Sequence, residues 1–131
     1  MKYIVFVSIV CFVACDPARR IHMKNKTGDD AEITWQLKDD SAKLNPLFIS
    51  NSTEVKFQLK PVAPHNEAKM SFGIGSWTRQ VLNNFVDDLE FLEIKSKQDS
   101  IKLTTEKEIK DYLLAHRRGL GKTLIRIFIS K

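Results

Sequence analysis

The sequence predicts an α+β fold, a mainly antiparallel β sheet or sandwich of about eight short strands with two helices placed late in the chain. Three observations lead there. Apolar and polar residues alternate through much of 20–74, the period of a strand with one buried and one wet face. The apolar spacing lengthens to three and four residues after Trp77 and again after Thr105, as an amphipathic helix requires. The 116 residues that follow Cys15 contain no cysteine, so a packed core rather than disulfides must hold the domain.

Ile21 and Met23 alternate with Arg20, His22 and Lys24 in a first strand. In a second, Ala31, Ile33, Trp35 and Leu37 face one way, and Glu32, Thr34, Gln36 and Lys38 the other. Residues 25–30, with Gly28 among them, read as the turn of a hairpin joining the two. Leu47, Phe48 and Ile49 form a short apolar run after Pro46, read as a strand. Val55, Phe57 and Leu59 give another, stopped by Pro61 and Pro64, which lack a ladder donor. After a loop over 61–68, Met70, Phe72 and Ile74 alternate once more and end in the turn Gly73-Ile74-Gly75.

The first helical stripe runs from Trp77 through Val81, Leu82, Phe85, Val86 and Leu89, with Ser76 as its N-cap. Phe91, Leu92 and Ile94 return to strand character, and a turn at 98–100 leads to Ile101 and Leu103. Thr105 and Glu108 have the spacing of a capping box, opening a helix that lines Ile109, Tyr112, Leu113 and His116 along one face. Arg117 and Arg118 suit its negative end and Gly119 its left-handed C′ position. Leu124 to Ile129 reads as a closing strand buried on both faces.

Ahead of these elements lies a different kind of segment. Lys2 is followed by an apolar run from Ile4 to Ala14, the length of a signal-peptide core and too short to cross a bilayer as a helix. The run ends at Cys15, Asp16 and Pro17. Phe12-Val13-Ala14-Cys15 resembles the lipobox of bacterial lipoproteins, with Ala14 as the small residue before the acylated cysteine, although Phe12 departs from the usual leucine. The Cys15-Asp16 start and short β-rich body are similar to small envelope lipoproteins of the Bacteroidota type. The resemblance covers only the first sixteen residues. It implies cleavage before Cys15, palmitate-type acyl chains on its thiol, and attachment to the inner or outer membrane of a cell envelope. The chain then divides into a signal peptide over 1–14, a lipidated anchor and linker over 15–19, and one globular domain over 20–131. The same resemblance makes Ser41 and Ser100, in Asp40-Ser41-Ala42 and Asp99-Ser100-Ile101, candidates for O-glycosylation.

Chemistry-bearing motifs fail on spacing. Gly119-Leu120-Gly121-Lys122-Thr123 ends like a phosphate loop, but His116 stands where the first glycine belongs, and the segment opens a strand instead of a helix. Gly73-Ile74-Gly75 begins like a dinucleotide fingerprint, but Thr78 occupies the third glycine position. His22, His65 and His116 have no metal-ligand spacing, and the pairs Asp29-Asp30, Asp39-Asp40 and Asp87-Asp88 lack the alternating oxygen ligands of a calcium loop. The net charge of +5 is scattered, without the interleaved aromatics of a nucleic-acid groove.

The expectation is therefore a membrane-anchored, non-enzymatic module without cofactor or metal that binds or scaffolds a protein or glycan partner. Trp77, beside Gly75 at a helix start, reads first as a packing residue and, if half exposed there, as the candidate ligand platform. The enzymatic alternative is a small periplasmic or surface hydrolase assembled from His65, Asp88 and Ser76. An inhibitor or immunity-type protein is the third reading.

Overall fold

The computed structural model describes residues 17–39, 45–48 and 51–131. Cys15, Asp16, Ser41 and Ile49, with the readings placed on them, lie outside the described residues. Among the described residues eight strands form two sheets that pack with two helices around one core, an α+β sandwich dominated by antiparallel pairing. The strands are β1 (Ala18–Asn25), β2 (Ala31–Leu37), β3 (Glu54–Leu59), β4 (Glu67–Ile74), β5 (Leu89–Ser96), β6 (Ser100–Leu103), β7 (Arg117–Arg118) and β8 (Leu124–Ile129). The helices are α1 (Arg79–Val86) and α2 (Glu106–Ala115). One sheet has the order β4-β1-β8-β7 and the other β3-β2-β5-β6.

The alternating segments behave as their period demands. Ile21 and Met23 are buried, as are Ala31, Ile33, Trp35 and Leu37. Thr34, on the nominally wet face of β2, is buried as well, because β2 is central and its cross-strand neighbours there are Lys56 and Glu93. The 25–30 turn is not a hairpin: β1 and β2 belong to different sheets. Buried Asn25 makes the corner. Its Nδ2 donates to the Asp29 and Leu59 carbonyls at 2.8 and 3.0 Å, and its Oδ1 accepts from the Thr27 amide and hydroxyl at 2.9 and 2.7 Å.

The partners of β1 come from elsewhere in the chain. β4 pairs with it antiparallel, and β8, the last strand, runs parallel to it from Arg20 opposite Leu124 to Asn25 opposite Ile129. β8 is buried on one face only, since Arg126 is exposed and Phe128 half-buried on the other. The run at 47–48 is a turn and not a strand, with Leu47 buried. Ile74 was expected inward but is 66% exposed, because it ends an edge strand beyond the core.

The N-cap of α1 is Thr78 rather than Ser76, its hydroxyl accepting from the Val81 amide at 3.2 Å. The helix ends at Val86, and Leu89 opens β5. α2 carries the full capping box, with Thr105 Oγ1 accepting from the Glu108 amide and Glu108 Oε2 from the amides of Thr104 and Thr105. His116 caps its far end, and the arginines after it form β7, so Gly119 is not the C′ residue. Arg117 and Arg118 still reach back to the Leu114 and Ala115 carbonyls at 3.2 and 2.9 Å.

Phe85 of α1 joins the layers. Its ring meets Trp35 of β2, Phe72 of β4 and Trp77 edge-on, with centroids 5.9, 5.3 and 5.5 Å away. Every strand and helix of the described residues, and the core they close, lies within 18–131.

Phe85→Ala is expected to lower stability by about 3–5 kcal/mol, read from the urea midpoint at constant slope. Thr105→Ala should cost only about 1 kcal/mol. The Glu108 carboxyl is held below its ordinary 4.5 chiefly by the amide hydrogen bonds it accepts. Its contribution is therefore complete above that value and fades as pH falls through the lowered one. The stability gap between wild type and Glu108→Gln should accordingly narrow in acid.

Candidate functional site

A cleft with a volume of about 400 Å³ lies where β4, α1 and the 45–48 turn meet. Its floor is the aromatic group Phe72, Trp77 and Phe85, and its rim holds Arg19, Asn45 and Asp88. The size is within the range of small ligand pockets, and an apolar floor with a few polar rim groups is their usual composition.

Arg19 and Asn45 are held by backbone carbonyls. Arg19 donates from Nε to the Ser76 carbonyl, from Nη1 to that of Phe72 and from Nη2 to that of Ile74, all at 3.1 Å. The three acceptors flank the end of β4, so the guanidinium clamps the strand-to-helix connection that carries Gly73 and Gly75. Gly75 has φ of 108°, and a side chain there would also approach Arg19 Nη2. Opposite Arg19, Asn45 Nδ2 donates to the Phe85 carbonyl at 3.0 Å and lies 3.4 Å from Asp88 Oδ2. The arrangement sets a cation and a carboxylate at the mouth of an apolar floor, which suits a ligand with an apolar body and polar flanks.

Trp77 is part of this site as a packing residue, the first of its two readings. It is 1% exposed, its Nε1 donates to the Arg20 carbonyl at 3.0 Å, and the Arg19 guanidinium covers its ring at 5.5 Å. An indole whose N–H finds an internal acceptor and whose face is covered packs as core. Trp77 is thus a floor residue rather than a half-exposed platform.

The proposed hydrolase trio is not assembled. His65 lies in the loop before β4 and Ser76 follows its end. The eight residues of β4 therefore stand between them, about 23 Å of extended chain. Asp88 is at the cleft rim without either. His22 is 2.9 Å from Glu67 Oε2, and His116 donates from Nδ1 to the Tyr112 carbonyl at 2.6 Å, stacked on that ring. Among the described residues no three His, Cys, Asp or Glu side chains gather as a metal site. Ser100 is exposed and begins β6 rather than completing a turn.

Sequence reasoning passed over Arg19 and Asn45. Arg19 read as half of a basic pair, and no local pattern indicates that its partners lie more than fifty residues away.

Arg19→Met should strip three carbonyls of their donor and destabilise the domain by about 1–3 kcal/mol in urea unfolding. Arg19→Lys should restore only part of that, because one ammonium cannot reproduce the planar fork. No protein-family model, curated protein or solved structure matches the chain.

Proposed function

We propose that this protein is a bacterial envelope lipoprotein, tethered through acyl chains on Cys15, whose domain works by binding rather than by catalysis. The carrying observation is the placement of Cys15. It closes the apolar run of 4–14, and only Asp16 and Pro17 separate it from the first strand at Ala18. Each buried methylene contributes about 0.8 kcal/mol, so two or three acyl chains hold a water-soluble body lastingly at a bilayer. Among the described residues no helix is long and apolar enough to cross a membrane. The cleft supports the binding part of the reading: an aromatic floor flanked by Arg19 and Asp88 matches an apolar side chain of a protein partner with polar groups beside it.

The full chain produced in a bacterial host with labelled palmitate should take up label and lose its first fourteen residues. Cys15→Ala should do neither. An unlabelled wild-type chain, or a mass that retains residues 1–14, overturns the anchored reading.

A further inference from the structure

The start of the folded domain is one end of the β4-β1-β8-β7 sheet, and three separate segments meet there. Pro17 accepts from the Gly75 amide at 3.1 Å, Thr123 from the Arg20 amide at 2.9 Å, and Lys122 from the Trp77 amide at 2.9 Å. Residues 17–20, 73–79 and 117–124 are thereby joined into a single surface.

The composition of that surface is one-sided. The three segments hold six basic residues, Arg19, Arg20, Arg79, Arg117, Arg118 and Lys122, and no acidic one. Arg19 and Arg117 spend their guanidinium groups on backbone carbonyls; Arg20, Arg79, Arg118 and Lys122 are exposed, Arg118 with Nη1 donating to the Ala115 and Arg117 carbonyls. Among the described residues none of the six forms an ion pair within 4.0 Å. The opposite end of β1 differs, since there Lys60 pairs with Asp30 and Lys97 with Asp29.

Two large apolar side chains project from the basic end. Leu120 is 97% exposed and Ile74 66%. Leu120 is displayed by construction: it opens a single 3-10 turn between Gly119 and Gly121, whose positive φ values of 83° and 69° turn the chain out and back. A projecting leucine amid unpaired cations is unfavourable in water alone. It matches a surface that is anionic outside and apolar beneath, where each basic residue close to the headgroups adds attraction and the apolar tip inserts.

We propose that this end of the domain, with Leu120 and Ile74 at its tip and Arg20, Arg118 and Lys122 around them, lies directly on an anionic bilayer. Charge complementarity selects the lipid. The direction of the chain agrees, because the segment carrying Cys15 joins the domain at this same end. That agreement rests on the anchored reading, but the contact itself does not require acylation. With only two residues between Cys15 and β1, docking here leaves β1 and β8 rising away from the bilayer and sets the Arg19 cleft close above the headgroups.

The test uses the chain from Cys15 onward carrying Cys15→Ser, which cannot be acylated, with native folding checked by cooperative urea unfolding. It is mixed with vesicles of three parts phosphatidylcholine to one of phosphatidylglycerol, or of phosphatidylcholine alone, and sedimented. Binding should favour the anionic vesicles and fall as salt is raised. Lys122→Gln and Arg118→Gln should each weaken it about five-fold. Leu120→Ser should weaken it about ten-fold, whereas Lys95→Gln, on β5 of the other sheet, should leave it unchanged. Equal or absent binding to the two vesicle types, or an equal loss with Lys95→Gln, overturns the proposal. So does a soluble polyanion that binds as tightly and is indifferent to Leu120→Ser. Palmitate labelling reads only the Cys15 thiol, so failure of the anchor and failure of the docking face give different results.

Discussion

The two sheets of this domain meet across one aromatic ring. Phe85 touches Trp35 from one sheet and Phe72 from the other, with Trp77 completing the group. Edge-to-face packing fixes the tilt of each ring as well as its distance, so α1 sets how the sheets lie relative to one another. The same contacts form the floor of the cleft. Any change that loosens the core at Phe85 therefore also alters this cleft. Trp35 shows what this packing costs, because its indole N–H is buried without an acceptor among the described residues.

How much of this the sequence discloses follows from the range over which each signal acts. Alternation is local, and it correctly places Ile21, Met23, Ile33, Trp35 and Leu37 in the core. Capping is local too, and Thr105 with Glu108 forms the box their spacing predicts. Alternation says which face of a strand is wet but not which strand lies beside it. Hence β1 and β2, adjacent in the chain and joined by a polar turn, were natural hairpin partners until the buried Asn25 carboxamide is seen to carry the chain from one sheet to the other. The parallel pairing of β1 with β8 spans almost the whole domain and leaves no local trace. The cleft was illegible for the same reason: Arg19, Asn45 and Asp88 belong to three distant stretches. Ile74 shows the reverse failure, since an apolar residue at the end of an alternating run reads as core when it is in fact exposed.

The electrostatics run along the same axis as the strands. Positive charge without partners gathers at the end where β1 begins, and mixed, paired charge at the end where it finishes. A net charge alone conceals this polarity, because a modest total is compatible with a strongly basic pole. The Arg19 clamp lies at the boundary of that pole. By holding the Phe72, Ile74 and Ser76 carbonyls it links the shape of the cleft to the geometry of the basic surface below it.

The double pairing of β1 has a mechanical consequence. A pull on the chain just ahead of Ala18, directed along the strand, loads the ladders to β4 and β8 in shear. The hydrogen bonds on both flanks then resist together, whereas a force across the strand would peel them apart in succession. Because β8 runs parallel to β1, its far end points away from the site of pulling, and traction between the two chain ends likewise slides these neighbours past one another. β1, the first of the described strands, is thus among the elements most firmly built into the body.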